Sequence, residues 1–335
     1  MTIRLGINGF GRIGRNVLRA IIEENRSDVE IVALNITGSI ETNAHLMRYD
    51  SVHGRFQHPV TFDDNTMDVG KGPMRITNTR HIADLDWGAV DVDIVLECTG
   101  AYNSRDKAIA HTAVGAKKVL VSAPAKEADL TVVYGVNHEQ LTADHIVVSN
   151  ASCTTNCLAP MASVLHNAIG IEQGFMTTIH SYTSDQRILD NSHVDPYRGR
   201  AAAESMIPTT TGAARAVGLV MPELSGKLDG VAMRVPTPNV SAVDLKFMAG
   251  RDTSVDEINA CFAEAATGQM KGILGITDEP LVSIDLNHDP RSSVIALDQT
   301  KALSPRFCRV MAWYDNEWAF SVRMLDTAAA MGALL

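Results

Sequence analysis

Residues 8–15 read Asn-Gly-Phe-Gly-Arg-Ile-Gly-Arg and join two segments with different hydrophobic periods. Residues 3–7 alternate as in a β-strand, whereas residues 17–22 form an apolar stripe with the spacing of an α-helix. A Gly-x-Gly-x-x-Gly motif between a strand and a helix allows a tight turn and the close approach of a pyrophosphate to the helix N-terminus. The segment therefore predicts a dinucleotide site that includes Gly9, Gly11, Arg12, Ile13 and Gly14.

Further short apolar runs alternate with helical segments in the first half of the chain, as in a doubly wound, mostly parallel sheet of an α/β Rossmann domain. These strands are expected at residues 30–35, 93–98, 118–122 and 146–148. A ligand of such a sheet lies across the carboxyl ends of the strands. The residues at those ends are therefore expected to contact the cofactor, and they are Asn35, Thr99, Gly100 and Ser122.

The second strand ends without the acidic residue that usually binds the adenosine ribose, about 20 residues beyond the last glycine of the motif. That position holds Ile36, which Thr37 follows. A carboxylate there would bind the ribose 2′-hydroxyl and repel a 2′-phosphate, so its absence predicts tolerance of NADP. A shifted alignment is the alternative, since the next acid is Glu41.

Residues 149–169 place one thiol, that of Cys153, at the start of an amphipathic helix, with Ser152 as the expected N-cap. Free N–H groups and the macrodipole at a helix start favour the thiolate, which is the reactive form of cysteine. The alternative is a small cysteine that only packs. Packing is also expected for Cys157, because no histidine or second cysteine pair lies near it in sequence.

The pattern changes near residue 151, where long strands with few helices between them indicate an α+β domain with a largely antiparallel sheet. Strands are expected at residues 176–180, 230–235, 242–247, 281–284 and 309–313. Helices are expected near residues 213–217, 254–266 and 321–330. We therefore expect an NAD(P)-binding domain at 1–150 and a catalytic domain at 151–318, with a C-terminal helix, 319–335, that packs on the first domain.

A long polar stretch between His180 and Pro208 contains Arg198, and it is followed by the run 209–212 and by Arg234. Loops of this length are usually functional or interfacial. Arginine forks, hydroxyl groups and a glycine turn are the chemistry of phosphate binding. A single arginine more often forms a surface ion pair, but several near a candidate nucleophile favour an anion site.

The composition argues against several classes of protein. The 335 residues are 45% hydrophobic and 20% charged, as in globular proteins. The net charge of −10 argues against a nucleic-acid partner, and no apolar run approaches the roughly 20 residues of a membrane span. The five cysteines lack any Cys-x-x-Cys spacing, so neither a metal site nor a disulfide framework is expected. With no signal-like N-terminus, the sequence predicts a cytoplasmic protein.

Three more motifs, together with residues 8–15, resemble glyceraldehyde-3-phosphate dehydrogenase over essentially the whole chain. They are Ser149-Asn-Ala-Ser-Cys-Thr-Thr-Asn-Cys157, Arg234-Val-Pro-Thr-Pro-Asn-Val240 and Trp313-Tyr-Asp-Asn-Glu-Trp318. The resemblance implies a Rossmann domain, a catalytic domain and a homotetramer. It also implies a reversible step of glycolysis and gluconeogenesis, in which glyceraldehyde 3-phosphate, inorganic phosphate and NAD or NADP give 1,3-bisphosphoglycerate.

The resemblance also implies a role for individual residues. Cys153 would attack the aldehyde carbon to form a thiohemiacetal, with His180 as the base, and phosphate would release the later thioester. Asn316 would orient the nicotinamide amide. The substrate's own phosphate would be bound by Thr183, Asp185 and Arg234. The attacking phosphate would be bound by Ser152, Thr154, Arg198, Thr211 and Gly212.

The sequence departs from the NAD-preferring pattern of the family at the cofactor. Such members normally have Asp at the position of Ile36, and bulky apolar and proline residues at those of Thr37 and Ser192. Thr37 and Ser192 resemble plastid-type and gluconeogenic NADP-using relatives, with Arg80 matching an arginine near the 2′-phosphate. NADP is therefore the expected cofactor, with NAD as the alternative. Ala319-Phe320 also replaces the usual Gly-Tyr.

Two alternative functions follow from the same residues. Erythrose-4-phosphate dehydrogenase resembles this family but oxidises a four-carbon sugar phosphate with water as the final nucleophile. Thr183 and the turn at 211–212 favour the phosphorylating enzyme, because residues for both anion sites are present. A nucleotide-binding regulator without catalysis is the other alternative, and the presence of Cys153 and His180 argues against it.

Overall fold

The computed structural model describes residues 2–335, which form two compact units. The first contains residues 2–134, His138–Ser152 and Ser321–Leu335. The second contains Gly135–Asn137 and Cys153–Phe320. Each unit has a sheet of its own. No helix in residues 2–335 is long and apolar enough to cross a bilayer.

The first unit is built on a sheet that is parallel from its centre to one edge. Its strands are β1 (Ile3–Asn8), β2 (Val29–Asn35), β3 (Tyr49–Asp50), β4 (Gly54–Arg55), β5 (Thr61–Phe62), β6 (Thr66–Asp68), β7 (Met74–Thr77), β8 (Ile94–Glu97), β9 (Lys118–Val121), β10 (Leu130–Thr131) and β11 (Val147–Ser149). They pair in the order β10-β11-β9-β8-β1-β2-β7-β6-β5, while β3 and β4 form a separate hairpin. Only the β5–β6 and β6–β7 pairs of this sheet are antiparallel among the described residues.

The helices of the first unit follow from its sequence signals. They are α1 (Arg12–Glu23), α2 (Ile40–Arg48) and α3 (Arg105–Ala108), with 3₁₀ helices at Ile82–Asp84, Gly88–Val90, Ile109–Val114 and His138–Gln140. The apolar stripe at residues 17–22 is buried on α1. Ser39 caps α2, because its hydroxyl accepts a hydrogen bond from the backbone nitrogen of Thr42 at 3.2 Å.

The second unit is built on a mixed sheet. Its strands are β12 (Ile171–Ser181), β13 (Ile207–Thr210), β14 (Leu228–Val235), β15 (Ser241–Ala249), β16 (Leu274–Thr277), β17 (Ser293–Ala296), β18 (Lys301–Ala302) and β19 (Phe307–Tyr314). They pair in the order β13-β14-β12-β15-β19-β17-β16, with β18 also on β19. The β12–β14 and β16–β17 pairs are parallel and the others antiparallel. The helices of this unit are α4 (Cys153–Ile169), α5 (Ala213–Val220) and α6 (Val255–Thr267), with 3₁₀ helices at Pro222–Leu224, Ser283–Leu286 and Leu297–Gln299. The last helix, α7 (Trp318–Gly332), belongs to the first unit from Ser321 onward.

Alternation along β12 separates the two faces of this sheet. Met176, Thr178 and His180 are buried on the face that α4 covers, between α5 and α6. Phe175, on the opposite face, is 49% exposed, and Val231 of β14 is 44% exposed. The second unit therefore buries one face of its sheet and leaves apolar side chains on the other.

The predicted architecture is confirmed, namely a mostly parallel sheet with helices followed by an α+β unit with a largely antiparallel sheet. The strand predicted at 281–284 is wrong, because Ser283–Leu286 forms a 3₁₀ helix. The side chain of Asp285 accepts a hydrogen bond from the nitrogen of Val282 at 2.8 Å, and this local bond replaces a strand ladder. The hydrophobic pattern of the sequence did not predict the short strands β13, β16 and β17.

Candidate active site

Two glycines bring the start of α1 against the end of β1. Gly9 has a φ of +98°, and a Cβ there would lie 2.8 Å from the backbone nitrogen of Thr99. A Cβ on Gly14 would lie 2.3 Å from the carbonyl oxygen of Gly9. Any larger residue at either position would therefore displace backbone.

Gly11 opens the helix N-terminus to a ligand. It is the N-cap of α1, no side chain caps the helix, and no heavy atom of the described residues lies within 4 Å of its Cβ position. An open cradle at a helix start fits the pyrophosphate of a dinucleotide. The residues present therefore fit the cofactor that the motif predicts, with the half-buried Ile13 on the first turn of α1.

Arg12 is held at the edge of this cradle by an ion pair with Asp50. Burial alone would raise the pKa of Asp50. The hydrogen bonds from Arg12 and from the backbone nitrogens of His53 and Val52 outweigh burial and lower the pKa to about 2. Asp50 is therefore ionised at neutral pH and compensates the charge of Arg12.

A cavity of about 190 Å³ lies within the first unit at the carboxyl ends of β1 and β2. Residues 79–82, 85, 99, 101 and 102 complete its wall. The predicted cofactor residues that line it are Gly9, Asn35, Thr37, Arg80 and Thr99. Sequence reasoning missed Asn8 and Thr79, whose polar side chains belong to the same wall.

Apart from the residues at the start of α1 and Asn316, four predicted cofactor residues do not line this cavity. Ile36 is fully buried, and its N–H donates to the carbonyl oxygen of Thr77 at 2.9 Å. Gly100 is exposed, and the backbone of Ser122 bonds to that of Glu97 at 3.0 Å. Ser192 is an exposed residue of the second unit. The side chain of Ile36 thus takes part in the core rather than in the cavity wall.

The thiol of Cys153 and the imidazole of His180 meet in the second unit. α4 begins at Cys153, as predicted, and β12 carries His180 on the face that α4 covers. The distance from Cys153 Sγ to His180 Nε2 is 3.5 Å. The structure therefore brings together the two residues predicted for nucleophile and base, 27 positions apart in sequence.

The other ring nitrogen fixes the tautomer of His180. Nδ1 lies 2.7 Å from the carbonyl oxygen of Ser181, a distance at which one of the two atoms must carry a hydrogen. The carbonyl has none, so Nδ1–H donates to it, and Nη1 of Arg234 donates to the same oxygen at 3.1 Å. The lone pair of Nε2 consequently faces the thiol and can accept its proton.

Burial favours the neutral forms of both the Cys153 thiol and the His180 imidazole. It raises the pKa of the Cys153 thiol, while Arg234 and the hydroxyl and N–H of Thr154 oppose this. Burial, then the charge of Arg234, lowers the pKa of His180 to about 3. Neither group favours an isolated charge here, so transfer of the proton from Sγ to Nε2 within the pair is the route to a thiolate. The effect expected of the helix start does not outweigh the effect of burial on the pKa of the thiol.

Asn316 is held with a fixed orientation. Its Oδ1 accepts hydrogen bonds from the hydroxyls of Ser181 at 2.8 Å and Ser241 at 2.7 Å. The amide oxygen is therefore committed to protein donors, and Nδ2 is the group that can donate to a ligand. Asp315 anchors the same turn, because its carboxylate accepts from the backbone nitrogens of Glu317 and Trp318 at 2.9 and 2.8 Å.

Arg234 is a half-buried cation that forms no salt bridge among the described residues. Besides Ser181, its Nη1 lies 3.1 Å from His180 Nδ1 and contacts the hydroxyl of Thr183 at 3.4 Å. Its Nε is buried with no hydrogen-bond partner, and within residues 2–335 it forms no ion pair. Burial lowers the pKa of its guanidinium. An uncompensated guanidinium beside a hydroxyl group has the chemistry of an anion site.

Arg198, in contrast, is already compensated. It donates to Asp185 at 2.6 Å and lies 3.6 Å from Asp195, and its Nε bonds to the hydroxyl of Thr209 at 3.1 Å. Burial raises the pKa of Asp185, but the hydrogen bond from Arg198 leads the effects that lower it overall. Asp185 is thus the counter-ion of Arg198, and as an acceptor it cannot donate to a phosphate.

Other predicted anion-site residues occupy two helix starts. Gly212 is the N-cap of α5, and Thr211 accepts from the nitrogen of Ala213 at 3.2 Å. Thr154 follows Cys153 on α4, where its hydroxyl lies 2.8 Å from the hydroxyl of Tyr314. Ser152 directly precedes α4 and belongs to the first unit.

Sequence reasoning assigned no role to Tyr314 or Gln186, although both are buried at this site. Burial raises the pKa of Tyr314, whose hydroxyl also lies 3.0 Å from that of Thr178. Gln186 accepts from the nitrogen of Thr183 at 3.3 Å. Tyr314 lies inside the motif 313–318 that carried the resemblance, so its position was a usable signal. Nothing in the local sequence distinguished Gln186.

Other cysteines and metal-type groups contribute no second centre. Cys157 is fully buried, and its Sγ lies 3.6 Å from the hydroxyl of Ser293, so it packs as predicted. In the part of the chain that the structure describes, no group of three or more His, Cys, Asp or Glu side chains could hold a metal ion.

A dinucleotide-type fold in the first unit, with a half-buried thiol against a buried imidazole in the second, fits the class of oxidoreductases that use a nucleotide cofactor. Family models give the same result for each half of the chain. Residues 3–105 match the NAD-binding domain of glyceraldehyde 3-phosphate dehydrogenase, and residues 152–316 match the C-terminal domain of that enzyme.

Similar proteins cover the whole chain. A glyceraldehyde-3-phosphate dehydrogenase of Xanthobacter flavus is 65% identical over 334 residues, which is 100% of both chains. Another, of Cereibacter sphaeroides, is 64% identical over 335 residues and 100% of both chains. One of Geobacillus stearothermophilus is 52% identical over 98% of both chains. This chain belongs to the glyceraldehyde-3-phosphate dehydrogenase family, and it is an enzyme of the dehydrogenase class.

Replacing His180 by asparagine should raise the pH at which Cys153 becomes reactive. The buried thiol would lose its proton acceptor, so the thiolate would form only against the full effect of burial. We expect the midpoint of iodoacetamide alkylation to move up by about one pH unit or more. The measurement is the alkylation rate at Cys153 against pH, followed by peptide mass, with Cys153→Ser as the blank. An unchanged midpoint would remove His180 from thiol activation.

Proposed function

We propose that this chain catalyses the reversible, phosphate-dependent oxidation of glyceraldehyde 3-phosphate to 1,3-bisphosphoglycerate with NAD(P). The observation that carries the proposal is the 3.5 Å contact between Cys153 Sγ and the lone pair of His180 Nε2, next to the uncompensated Arg234. A nucleophile, a proton acceptor and an anion site on one unit are what a phosphorylated aldehyde requires. The names of the similar proteins support the same substrate.

The residues supply each proton and charge of this reaction. Cys153 Sγ forms a bond to the aldehyde carbon while its proton passes to His180 Nε2, and His180 then returns that proton to the aldehyde oxygen, which gives a thiohemiacetal and a neutral imidazole. The bound NAD(P) supplies the hydride acceptor that converts the thiohemiacetal to a thioester. His180 takes up the hydroxyl proton in that step, and phosphate attack then releases the thiol and the acyl phosphate.

Donors for the developing oxyanion lie around Cys153. Its backbone N–H belongs to the first turn of α4, where N–H groups lack intrahelical partners. Together with protonated His180 this N–H can stabilise the tetrahedral oxygen. The amide nitrogen of Asn316, which its two serine partners leave available, is proposed to hold the nicotinamide amide.

Arg234 and Thr183 are proposed to bind the phosphate of the substrate. The attacking phosphate is assigned to Ser152, Thr154, Thr211, Gly212 and Arg198. Because Asp185 and Asp195 compensate Arg198, this second site should hold phosphate less tightly than the Arg234 site. Weak binding suits the attacking phosphate, because this phosphate must leave the site as part of the product.

Initial rates should separate this function from its alternatives. With glyceraldehyde 3-phosphate, sustained cofactor reduction should require phosphate or arsenate, and Cys153→Ser should bind cofactor without turnover. Rates that are equal without phosphate, together with a higher kcat/KM for erythrose 4-phosphate, would favour erythrose-4-phosphate dehydrogenase. Normal cofactor binding without turnover of either aldehyde by the unmodified protein would favour a regulator.

We further propose that NADP is preferred over NAD. The end of β2 carries the buried, apolar Ile36, so no carboxylate there repels a 2′-phosphate. Thr37 and Arg80 are exposed on the cavity, and the guanidinium of Arg80 makes no ion pair within residues 2–335. A hydrogen bond to a charged group contributes about 1.5–3 kcal/mol. Ser192 is part of this proposal on the strength of the resemblance alone.

Arg80→Gln should therefore lower kcat/KM for NADP by about tenfold, with that for NAD changed by less than about twofold. Lys71→Gln, which removes an equal charge from an exposed turn of the same unit, is the control. The readout is the initial rate with each cofactor at fixed aldehyde and phosphate. An unmodified enzyme whose kcat/KM for NAD is tenfold above that for NADP would overturn the preference.

We also propose that the chain is a cytoplasmic homotetramer. Apolar side chains stand on the uncovered face of the second sheet, and those of the loop before β13 include Ile188 at 86% and Val194 at 99% exposure. Exposed apolar surface on this scale is typical of an interface.

Light scattering should give a particle of four chains of 36.1 kDa. Val231→Glu should dissociate it, because the substitution places a charge on the proposed interface. Leu303→Glu, at a position that is 83% exposed in a turn elsewhere, is the control. A monomeric mass for the unmodified protein would contradict the proposal.

A further inference from the structure

A carboxylate with no access to solvent lies beneath the nucleotide cavity. Glu97 ends β8, and its side chain is fully buried. Its Oε2 accepts from Asn8 Nδ2 at 2.6 Å and lies 3.1 Å from His111 Nε2. Its Oε1 accepts from the backbone nitrogen of Thr99 at 2.8 Å and from the hydroxyl of the same residue. A buried carboxylate is tolerated when donors surround it in this way.

Trp87 determines the tautomer of His111. The indole nitrogen can only donate, and it lies 3.0 Å from His111 Nδ1. Nδ1 therefore carries no hydrogen, so Nε2–H points to Glu97. Trp87, His111 and Glu97 form a directed chain of hydrogen bonds in the core of the first unit.

The chain of hydrogen bonds continues from Glu97 to the cavity wall. Because Asn8 Nδ2 is bound to Glu97, its Oδ1 faces Asn35, whose Nδ2 donates to it at 2.7 Å. Nδ2 of Asn35 also donates to the carbonyl oxygen of Thr79 at 2.9 Å, and its Oδ1 accepts from the nitrogen of Thr79 at 3.1 Å. The carboxylate thus sets the orientation of two amides and a backbone segment.

The ends of this network are cavity residues. Asn8, Asn35, Thr79 and Thr99 line the 190 Å³ cavity, whereas Glu97, His111 and Trp87 do not. The network joins the side chains at the ends of β1, β2 and β8, whose last residues, Asn8, Asn35 and Glu97, are register partners in the sheet. Glu97, His111 and Trp87 can therefore affect a bound ligand only by holding the residues of the cavity wall in place.

We propose that Glu97 and His111 are positioning residues for dinucleotide binding: the buried carboxylate directs the hydrogen bonds that hold Asn8, Asn35, Thr79 and Thr99 in place. The inference rests on the dinucleotide site of the proposed function and adds to it a determinant shared by NAD and NADP. It assigns neither residue a contact with the cofactor or a part in the thiol chemistry.

Glu97→Gln tests the proposal with little change of shape. The amide nitrogen of the glutamine would lie opposite at least two hydrogen-bond donors that now face a carboxylate oxygen. Those donors would lose their acceptor, and the cavity wall would have to rearrange. We expect the Kd of NAD and that of NADP to rise by about tenfold each, with kcat at saturating cofactor within about twofold of the unmodified enzyme. Glu30→Gln, which breaks an exposed pair with Arg4 at the other end of β1 and β2, is the matched control.

A charge swap provides the second variant. Nδ2 of Asn8 lies 3.5 Å from His111 Nε2, so an oxygen at that place in Asn8→Asp/Glu97→Gln could accept from both the new glutamine and His111. This double variant should restore both Kd values to within about threefold of the unmodified enzyme. In Glu97→Gln the indole N–H resonance of Trp87 should shift, while those of Trp313 and Trp318, in the second unit, should stay.

The outcomes separate the two proposals. Unchanged Kd values in a folded Glu97→Gln, or a loss of kcat without a change in Kd, would overturn the positioning role. If Glu97→Gln does not fold, a folded double variant that still binds about tenfold more weakly would overturn it as well. An unmodified protein that binds neither NAD nor NADP would instead overturn the proposed function.

Discussion

The catalytic half of the molecule depends on strand β12 being paired on both sides. β14 runs parallel along one edge and β15 antiparallel along the other, so β12 cannot slip by one residue without breaking two ladders. Such a slip would turn the side chain of His180 away from α4. Side chains of the opposite face, such as those of Phe175 and Ile179, would then point towards α4. The fixed register therefore explains why an imidazole faces the first residue of α4.

Compensation of charge distinguishes the two arginines of the site. Arg198 has Asp185 and Asp195 as partners, whereas Arg234 has only neutral acceptors among the described residues. A cation buried without a counter-ion costs free energy, and an anionic ligand is what recovers it. The structure thus indicates that Arg234 gains more than Arg198 from an anionic ligand. The sequence alone does not show this difference.

The sequence predicted best where a motif and its local context agree. The glycine motif between a strand and a helix gave β1, the turn and α1, and Gly9 and Gly14 have the steric reason that the motif presumes. The run 281–284 failed for the opposite reason. Val282 and Ile284 are 57% and 69% exposed, and the local hydrogen bond that the Asp285 side chain accepts from the nitrogen of Val282 favours a turn over a strand.

The site was less predictable from the residues alone, because its contacts join distant segments. The pairing of Cys153 with His180 was inferred from resemblance, and only the packing of α4 on β12 creates it. The resemblance assigns Asp185 to a phosphate site, and only the folded chain shows that it also forms an ion pair with Arg198. Burial, which decides the protonation of the thiol and imidazole, has no local signature in the sequence.

Ser181, the last residue of β12, contacts three functional groups at once. Its carbonyl oxygen accepts from His180 and Arg234, and its hydroxyl donates to Asn316. A displacement of this strand end would carry the proton acceptor, the anion-binding cation and the amide along together. The spacings among the imidazole, the guanidinium and the amide are thus set by their common contact with one residue rather than by three separate supports.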